Sequence, residues 1–226
     1  MSAAQAVILD FNGTLAEDEA VLIGIYEELL WEHGVAFDGA EYHQFAGIPD
    51  HDMFGKLFAA HGRTLAPDTL DRLLQDRIAR YRSAVTDDHP VAENTIDFVR
   101  TVAAEVPVAI ASGAYRAEIE HVLELAGVAH HFSIIVAIDD VTEGKPHPES
   151  FITALERINR ERGDAEAIAP EHTVVLEDAT DGAMAAQAAG MRCVVIRGRA
   201  YDERTGVAEL VVDRLTAELA RELLDG

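Results

Sequence analysis

The stretch Val7-Ile8-Leu9-Asp10-Phe11-Asn12-Gly13-Thr14-Leu15 decides the fold of this chain. Three aliphatic residues lead directly into a carboxylate, and Gly13 follows closely, where the backbone must turn. An apolar run without polar alternation is typical of a strand that is buried on both faces of a parallel sheet. Open α/β sheets bind ligands at the carboxyl ends of such strands. The stretch therefore predicts a central strand with Asp10 at a ligand-binding edge, while a simple turn shaped by Asp10 and Asn12 is the alternative interpretation.

From residue 91 onward, apolar runs alternate with amphipathic helical patterns. The sequence predicts strands at 107–111, 133–137, 173–176, 192–196 and 208–212. It predicts helices at 91–104, 114–126, 148–162, 182–189 and 215–224. Strands that alternate with helices imply right-handed crossovers and a parallel sheet with helices on both faces. We therefore predict an α/β fold with a Rossmann-like parallel sheet at its core.

The region between the first strand and residue 91 has a different character. Helical patterns run from the acidic residues near 17 to Gly34, and then near 39–46, 50–61 and 67–84. No convincing strand pattern occurs between residues 16 and 104. We predict that residues 17–87 form an all-helical cap domain inserted into a discontinuous core of residues 1–16 and 88–226.

The composition limits the classes of partner. The 226 residues include 18 Lys and Arg against 41 Asp and Glu, a net charge of −23. Such a chain repels nucleic acid and anionic membranes, so neither is expected as a partner. It also repels a phosphorylated substrate unless a metal ion or a few placed cations reverse the local field.

The expected cellular location is inferred from targeting and membrane-spanning patterns. No signal peptide or run of membrane-spanning length is evident, so we expect a soluble, cytoplasmic protein. Cys193 lies in an apolar run and is expected to be a buried free thiol. A monomer is the default expectation, and a dimer stays open.

Polar residues of the kinds that phosphoryl transfer needs follow several predicted strands. Asp10 and Glu177-Asp178 would together form a hard-oxygen site suited to Mg²⁺. Ser112 and the N–H groups that follow it could hold phosphoryl oxygens. Lys145 would supply a fixed positive charge in a chain with only two lysines. Because parallel strands share one carboxyl edge, we expect these residues to meet.

These motifs resemble those of the haloacid dehalogenase superfamily, in the helical-cap subgroup similar to β-phosphoglucomutase and phosphoglycolate phosphatase. The resemblance covers residues 7–15 and 91–212. It rests on four signatures in order: Asp10-Phe11-Asn12-Gly13-Thr14-Leu15, Ala111-Ser112-Gly113, Gly144-Lys145-Pro146-His147-Pro148-Glu149, and Glu177-Asp178-Ala179 followed by Gly182 and Ala188-Ala189-Gly190-Met191.

The resemblance implies a hydrolase acting on phosphate monoesters of small metabolites. Asp10 would be the nucleophile that forms an aspartyl-phosphate. Mg²⁺ would be held by Asp10, the main-chain carbonyl of Asn12 and Asp178, with Glu177 or Asp181 just outside these ligands. The residues that would bind the phosphoryl group are Ser112, Gly113, Thr14 and Lys145.

Asn12 departs from the pattern of the family, whose phosphatases mostly carry a second Asp there. That Asp protonates the leaving oxygen and later deprotonates the attacking water, and an amide can do neither. Losing such help typically costs about 10²- to 10⁴-fold in rate. A substitute acid would have to come from the cap, and His51 and Glu19 are the candidates.

Other activities within the superfamily are less compatible with this chain. The dehalogenases lack the metal-binding carboxylates that Glu177-Asp178 provides here. Phosphonatases use a cap lysine, where this chain has Asp50, and Lys56 is better explained as a solvated residue. Phosphomutases use the second Asp and a cap His, where this chain has Leu22.

Alternatives to a slow phosphatase stay open at this point. One is a phosphoryl-binding or sensor protein with low turnover. A second is deamidation of Asn12-Gly13 to Asp, and a third is an Asn12 introduced to trap a complex. A phosphonatase-like or phosphomutase-like member is disfavoured but not excluded.

Overall fold

The computed structural model describes residues 2–45, 48–86, 88–197 and 200–226. A six-stranded parallel sheet forms its centre, in the order β3-β2-β1-β4-β5-β6. The strands are β1 Ala6–Leu9, β2 Val108–Ala111, β3 Ile134–Val136, β4 Thr173–Glu177, β5 Arg192–Ile196 and β6 Leu210–Val212. Strand β1 lies between β2 and β4, as predicted for the stretch that precedes Asp10. The α/β fold class is therefore confirmed.

Eight α-helices accompany the sheet in the described residues. They are α1 Glu19–Glu32, α2 Asp50–Ala60, α3 Pro67–Ala84, α4 Glu93–Ala103, α5 Arg116–Leu125, α6 Glu149–Glu161, α7 Thr180–Ala188 and α8 Ala217–Asp225. Short 3₁₀ helices occur at Gly39–Gln44, Ala129–His131, Ile138–Asp140, Pro170–His172 and Glu203–Thr205. The helix predicted near 39–46 is thus a 3₁₀ helix that ends at Gln44, and Ala46 lies outside the described residues.

Both faces of the sheet are buried, because successive side chains of a strand point in opposite directions. On one face, Val7 and Leu9 of β1 join a large cluster that includes residues of α4, α5, α8 and of helices α1, α2 and α3 of the predicted cap. On the other face, Ala6 and Ile8 join a smaller cluster with α6 and α7. This arrangement explains the unbroken apolar pattern of β1.

The described residues between Ala16 and Val91 form helices and turns and contain no strand. Helix α3 meets the core at Arg77, which makes an ion pair with Glu118 of α5. The cap boundaries at 17 and 87 stay a prediction, and Asp87 lies outside the described residues.

Two smaller expectations can be compared with the structure. Cys193 is buried and unpaired, as predicted. None of the helices in the described ranges has both the length and the apolar character that a bilayer span requires.

Candidate active site

Asp10 stands at the carboxyl end of β1, where the chain leaves the sheet. Its N–H donates a hydrogen bond to the carbonyl of Leu176 at 2.9 Å, so the parallel ladder with β4 continues one residue beyond the strand. Gly13 then turns the backbone with φ +76°, and a Cβ at this position would overlap the Asp178 carboxylate. The turn therefore needs glycine for its conformation and for the close approach of Asp178.

Lys145 links two of the carboxylates at this edge. Its Nζ donates to Asp10 Oδ1 and to Glu177 Oε1, both at 2.5 Å, and lies 4.8 Å from the ring centroid of Phe151. The other oxygen of Glu177 accepts from the N–H groups of Asp178 and Ala179. Glu177 is therefore a positioning group that holds the lysine and the turn after β4 together.

The carboxylates of Asp10, Glu177 and Asp178 form a tight group. One oxygen from each lies within 4.8 Å of the others. Burial raises the pKa of Asp10 to about 7, although Lys145 works in the opposite direction. Burial and the charges of Glu177 and Asp10 hold the pKa of Asp178 well above its ordinary value. Burial lowers the pKa of Lys145, but the two carboxylates outweigh it and the net shift is upward. Three ionised carboxylates would carry more negative charge than the one ammonium of Lys145 balances.

This donor set fits a divalent cation. Carboxylate oxygens are the ligands that Mg²⁺ prefers, and a charge of +2 would balance the excess. All three acids line the cavity described below, but both oxygens of Glu177 accept hydrogen bonds, one from Lys145 and the other from two backbone N–H groups. Lys145 donates to only one oxygen of Asp10. Asp10 and Asp178 are therefore the side chains best placed to hold such an ion.

Ser112 follows β2 on the same edge. It is buried, and its Oγ accepts a hydrogen bond from the N–H of Ala114 at 3.2 Å. Both Ser112 and Gly113 line the cavity beside Asp10 and Lys145. The structure thus brings together residues from four separate sequence motifs.

Asn12 is held by an acid that the sequence analysis missed. Its Nδ2 donates to Asp18 Oδ2 at 2.7 Å, and Tyr81 donates to the same oxygen. Asp18 is fully buried, and its other oxygen has no hydrogen-bond partner among the described residues. Burial raises the pKa of Asp18 to about 6, while the hydrogen bonds from Tyr81 and Asn12 oppose the rise.

The sequence held only a weak signal for Asp18. It lies within the acidic run Glu17-Asp18-Glu19. Such a run is sufficiently explained by the favourable interaction of negative charge with the dipole at the start of a helix. Only the return of α3, which brings Tyr81 to Asp18, distinguishes it from its two exposed neighbours.

A cavity of about 480 Å³ lies at this edge, between the core and the cap. Core residues on its wall include Asp10, Asn12, Gly13, Ser112, Gly113, Lys145, Glu177 and Asp178. Cap residues on its wall include Leu22, Tyr26, Tyr42, Met53, Asp50 and Arg77. A substrate held here would contact both parts of the chain.

Four other residues from the sequence analysis have distinct positions. Glu19 lines the cavity at the start of α1. His51 pairs with Asp52 at 3.3 Å, is half exposed and is not among the cavity-lining residues, so the idea that it supplies the acid loses its geometric basis. Thr14 is buried, its hydroxyl has no partner in the described ranges, and it too is absent from the wall. Asp181 lies in the first turn of α7 and is not among the residues of the wall.

Gly182 of α7 provides a structural test of how tightly Glu177 is held. A Cβ at Gly182 would overlap the Glu177 carboxylate, which Lys145 and two backbone N–H groups keep in place. We therefore expect Gly182→Ala to lower the free energy of unfolding by about 1–3 kcal/mol, as overpacking does. Urea denaturation measures this change.

Gly24→Ala is the matched control, because Gly24 lies inside α1 with open space around its would-be Cβ. There the exchange should stabilise the protein by about 0.5–1 kcal/mol through helix propensity. Equal effects of the two exchanges would show that Glu177 can move aside freely.

Comparison with known proteins agrees with this geometry. The family model described as haloacid dehalogenase-like hydrolase matches residues 7–196. The chain is 28% identical over 217 residues to validoxylamine A 7'-phosphate phosphatase of Streptomyces hygroscopicus subsp. limoneus, covering 94% of each chain. It is 28% identical over 192 residues to fructose-1-phosphate phosphatase YqaB of Escherichia coli, covering 84% of this chain and 95% of that one.

A solved structure shares the whole architecture. CbbY from Rhodobacter sphaeroides, in complex with phosphate, superposes with a TM-score of 0.83 at 25% identity, over 99% of this chain and 100% of that chain. The match of the family model over most of the chain establishes that this protein belongs to the haloacid dehalogenase-like hydrolase family.

Proposed function

We propose that this protein is a Mg²⁺-dependent phosphohydrolase of small phosphorylated metabolites that works through an aspartyl-phosphate on Asp10. The observation that carries the proposal is the bridging of Asp10 and Glu177 by Lys145 beside the Asp178 carboxylate, at the wall of the cavity. The names of two relatives, phosphatases of validoxylamine A 7'-phosphate and of fructose 1-phosphate, support a sugar-like phosphate ester as substrate.

Each core residue has a chemical role in this proposal. The Asp10 carboxylate attacks phosphorus and forms an acyl phosphate, while the ester P–O bond breaks and its electron pair leaves with the substrate oxygen. Lys145 and the Ser112 hydroxyl, with the N–H of Gly113, hold the phosphoryl oxygens. Water then attacks the acyl phosphate, which releases inorganic phosphate and restores Asp10.

The metal would be held by Asp10, the main-chain carbonyl of Asn12 and Asp178. When bound, Mg²⁺ neutralises charge on the transferred phosphoryl group. The surplus of buried carboxylate in this site supports the assignment, because an isolated excess charge in a buried site is costly.

Proton transfer is the step that Asn12 alters. The Asn12 amide can neither protonate the leaving oxygen nor accept a proton from water. Esters with poor leaving groups should therefore be hydrolysed slowly. Glu19 is the cap acid from the sequence analysis that lies on the cavity wall. Asp18 is the acid in direct contact with Asn12.

A phosphoryl-binding protein with low turnover is the second candidate function, and the Asn12 amide favours it. Steady-state phosphate release separates the two candidates, because a sensor binds phosphate esters with little release.

Binding of Mg²⁺ should affect both the stability of the fold and the turnover. Mg²⁺ at about 100 times its dissociation constant should stabilise the fold by about 2.7 kcal/mol, which corresponds to a rise in Tm of roughly 5–10 °C for a chain of this size. Phosphate release from a panel of sugar phosphates should need the same ion. Scanning calorimetry and phosphate release with Mg²⁺ or EDTA measure the two effects.

Asp178→Asn should abolish most of the Mg²⁺-induced rise in Tm, because it removes one of the two cavity-lining carboxylates that would bind the ion. Asp97→Asn is the matched control, since Asp97 lies exposed on α4 beside Arg100. A full rise in Tm for Asp178→Asn would contradict this metal assignment.

A further inference from the structure

The cap contributes a wall that is mostly apolar and aromatic to the cavity. The residues involved are Leu22, Tyr26, Tyr42, Phe45, Ile48, Pro49 and Met53. The rings of Tyr26 and Tyr42 are stacked, with centroids 5.8 Å apart, and Phe54 meets the edge of Tyr26. The part of a substrate that is not phosphorylated would face this wall.

Arg77 of α3 is the single cation among the described cap residues that line the cavity. Its side chain is only 4% exposed, and its Nε lies 3.1 Å from Asp50 Oδ2. Its Nη1 donates to Glu118 of α5. Arg77 therefore faces two carboxylates before any ligand enters.

Tyr26 completes this arrangement. Its hydroxyl accepts from Arg77 Nε and Nη2 at 3.2 and 3.1 Å, and it donates to Asp50 Oδ1 at 2.6 Å. The guanidinium group also lies 5.5–5.8 Å from the ring centroids of Tyr26, Tyr81 and Tyr115. All three guanidinium nitrogens thus have partners within the protein.

The charge around Arg77 on the cap wall is consequently unsuitable for a second anion. A phosphate there would meet the Asp50 carboxylate on the cavity wall, while the charge of Arg77 is already balanced by Asp50 and by the buried Glu118. Like charges a few ångströms apart in a partly buried site repel strongly. On the core wall of the cavity, Lys145 and the proposed metal site would receive the phosphoryl group that reacts.

We infer that this protein selects monophosphates whose remaining part carries no second anionic group, and that Asp50 enforces this choice by neutralising Arg77. The inference rests on the proposed function for the location of the reacting phosphate. It assigns Asp50 a role in specificity that does not involve the reacting atoms.

The test is a comparison of two ligands that differ only in a second phosphate. Binding of fructose 1-phosphate and fructose 1,6-bisphosphate is measured by isothermal titration calorimetry with Mg²⁺, on Asp10→Asn protein so that no turnover occurs. We expect the bisphosphate to bind at least about tenfold more weakly, because its second phosphate meets the Asp50 carboxylate and an Arg77 whose charge is already balanced.

Asp50→Asn in the same background should reduce this preference by about tenfold, since the amide keeps the hydrogen bond from Tyr26 but removes one of the two negative charges beside Arg77. Asp52→Asn is the matched control, because Asp52 lies on the same helix, is exposed and pairs with His51 outside the cavity. Glu118→Gln removes the other carboxylate and should act in the same direction as Asp50→Asn. Calorimetric melting verifies that each variant is folded.

The binding measurements test the selectivity, and a turnover measurement tests the proposed phosphohydrolase. Tighter binding of the bisphosphate, or equal effects of Asp50→Asn and Asp52→Asn, would overturn the inferred selectivity. Turnover of p-nitrophenyl phosphate by the unaltered protein is measured in parallel. Its absence would count against the proposed phosphohydrolase, whereas the ratio of the two dissociation constants would still decide the selectivity.

Discussion

Asp10→Asn is expected to reduce phosphate release by about 10⁴-fold or more, because an amide is a poor nucleophile and cannot form the aspartyl-phosphate. The fold should persist, since the amide oxygen can still accept the hydrogen bond that Lys145 donates to Asp10. Steady-state phosphate release at saturating Mg²⁺ measures the loss. Circular dichroism and thermal melting establish that the variant is folded.

Asp97→Asn serves again as the control and should keep full turnover, because it removes an equal charge from an exposed helix surface. Retention of more than about 1% of turnover by Asp10→Asn would contradict covalent catalysis by this residue. Water activated elsewhere at the site would then be the nucleophile.

Asn12→Asp is expected to raise turnover of sugar phosphates by about 10²- to 10⁴-fold, because it introduces a carboxyl group that can transfer protons at the leaving oxygen. The gain should be much smaller for p-nitrophenyl phosphate, whose leaving group needs little protonation. The comparison of kcat for the two classes of ester therefore separates proton transfer from an improvement in binding.

Asp18 complicates the single exchange. A carboxylate at position 12 would lie about where the amide nitrogen now donates to Asp18 Oδ2 at 2.7 Å, and two carboxylates that close must share a proton. We therefore compare Asn12→Asp with Asp18→Asn and with the double variant that carries both exchanges. The double variant has the acid at position 12 and the amide at position 18, so two carboxylates are never in contact.

The three variants lead to different conclusions. A gain in Asn12→Asp that persists in the double variant places the useful acid at position 12. Loss of turnover in Asp18→Asn, with no gain in Asn12→Asp, would show that the unaltered protein already transfers its protons through Asp18. An equal gain for both classes of ester would contradict a role in protonating the leaving group.

Much of the core could be predicted because its signals are local. The unbroken apolar run of β1 predicts a strand buried on both faces. The later alternation of strand and helix patterns is compatible with only a few sheet topologies. The ends of elements were less accurate: the strand predicted at 208–212 is Leu210–Val212, and the helix predicted at 182–189 begins at Thr180. Helix ends depend on capping and packing, which periodicity does not reveal.

Parts of the site could not be predicted because their chemistry depends on distant partners. His51 looked like a candidate acid in the sequence, yet it pairs with Asp52 away from the cavity. Asp18 looked like one residue of an acidic helix start, yet burial and Tyr81 set it apart. Asp50 and Arg77 carry no motif, and only the packing of α2 against α3 makes them a pair.

The sequence alone determined the α/β class, the strand that carries Asp10 and the residue types gathered at the carboxyl edge of the sheet, because a parallel sheet places strand ends together whatever connects them. Tertiary structure alone decided which carboxylates Lys145 joins, which acid holds Asn12 and how the cap neutralises Arg77. These features depend on distances between side chains that are far apart in the chain. Electrostatic interactions at such sites are decided by those distances and by burial.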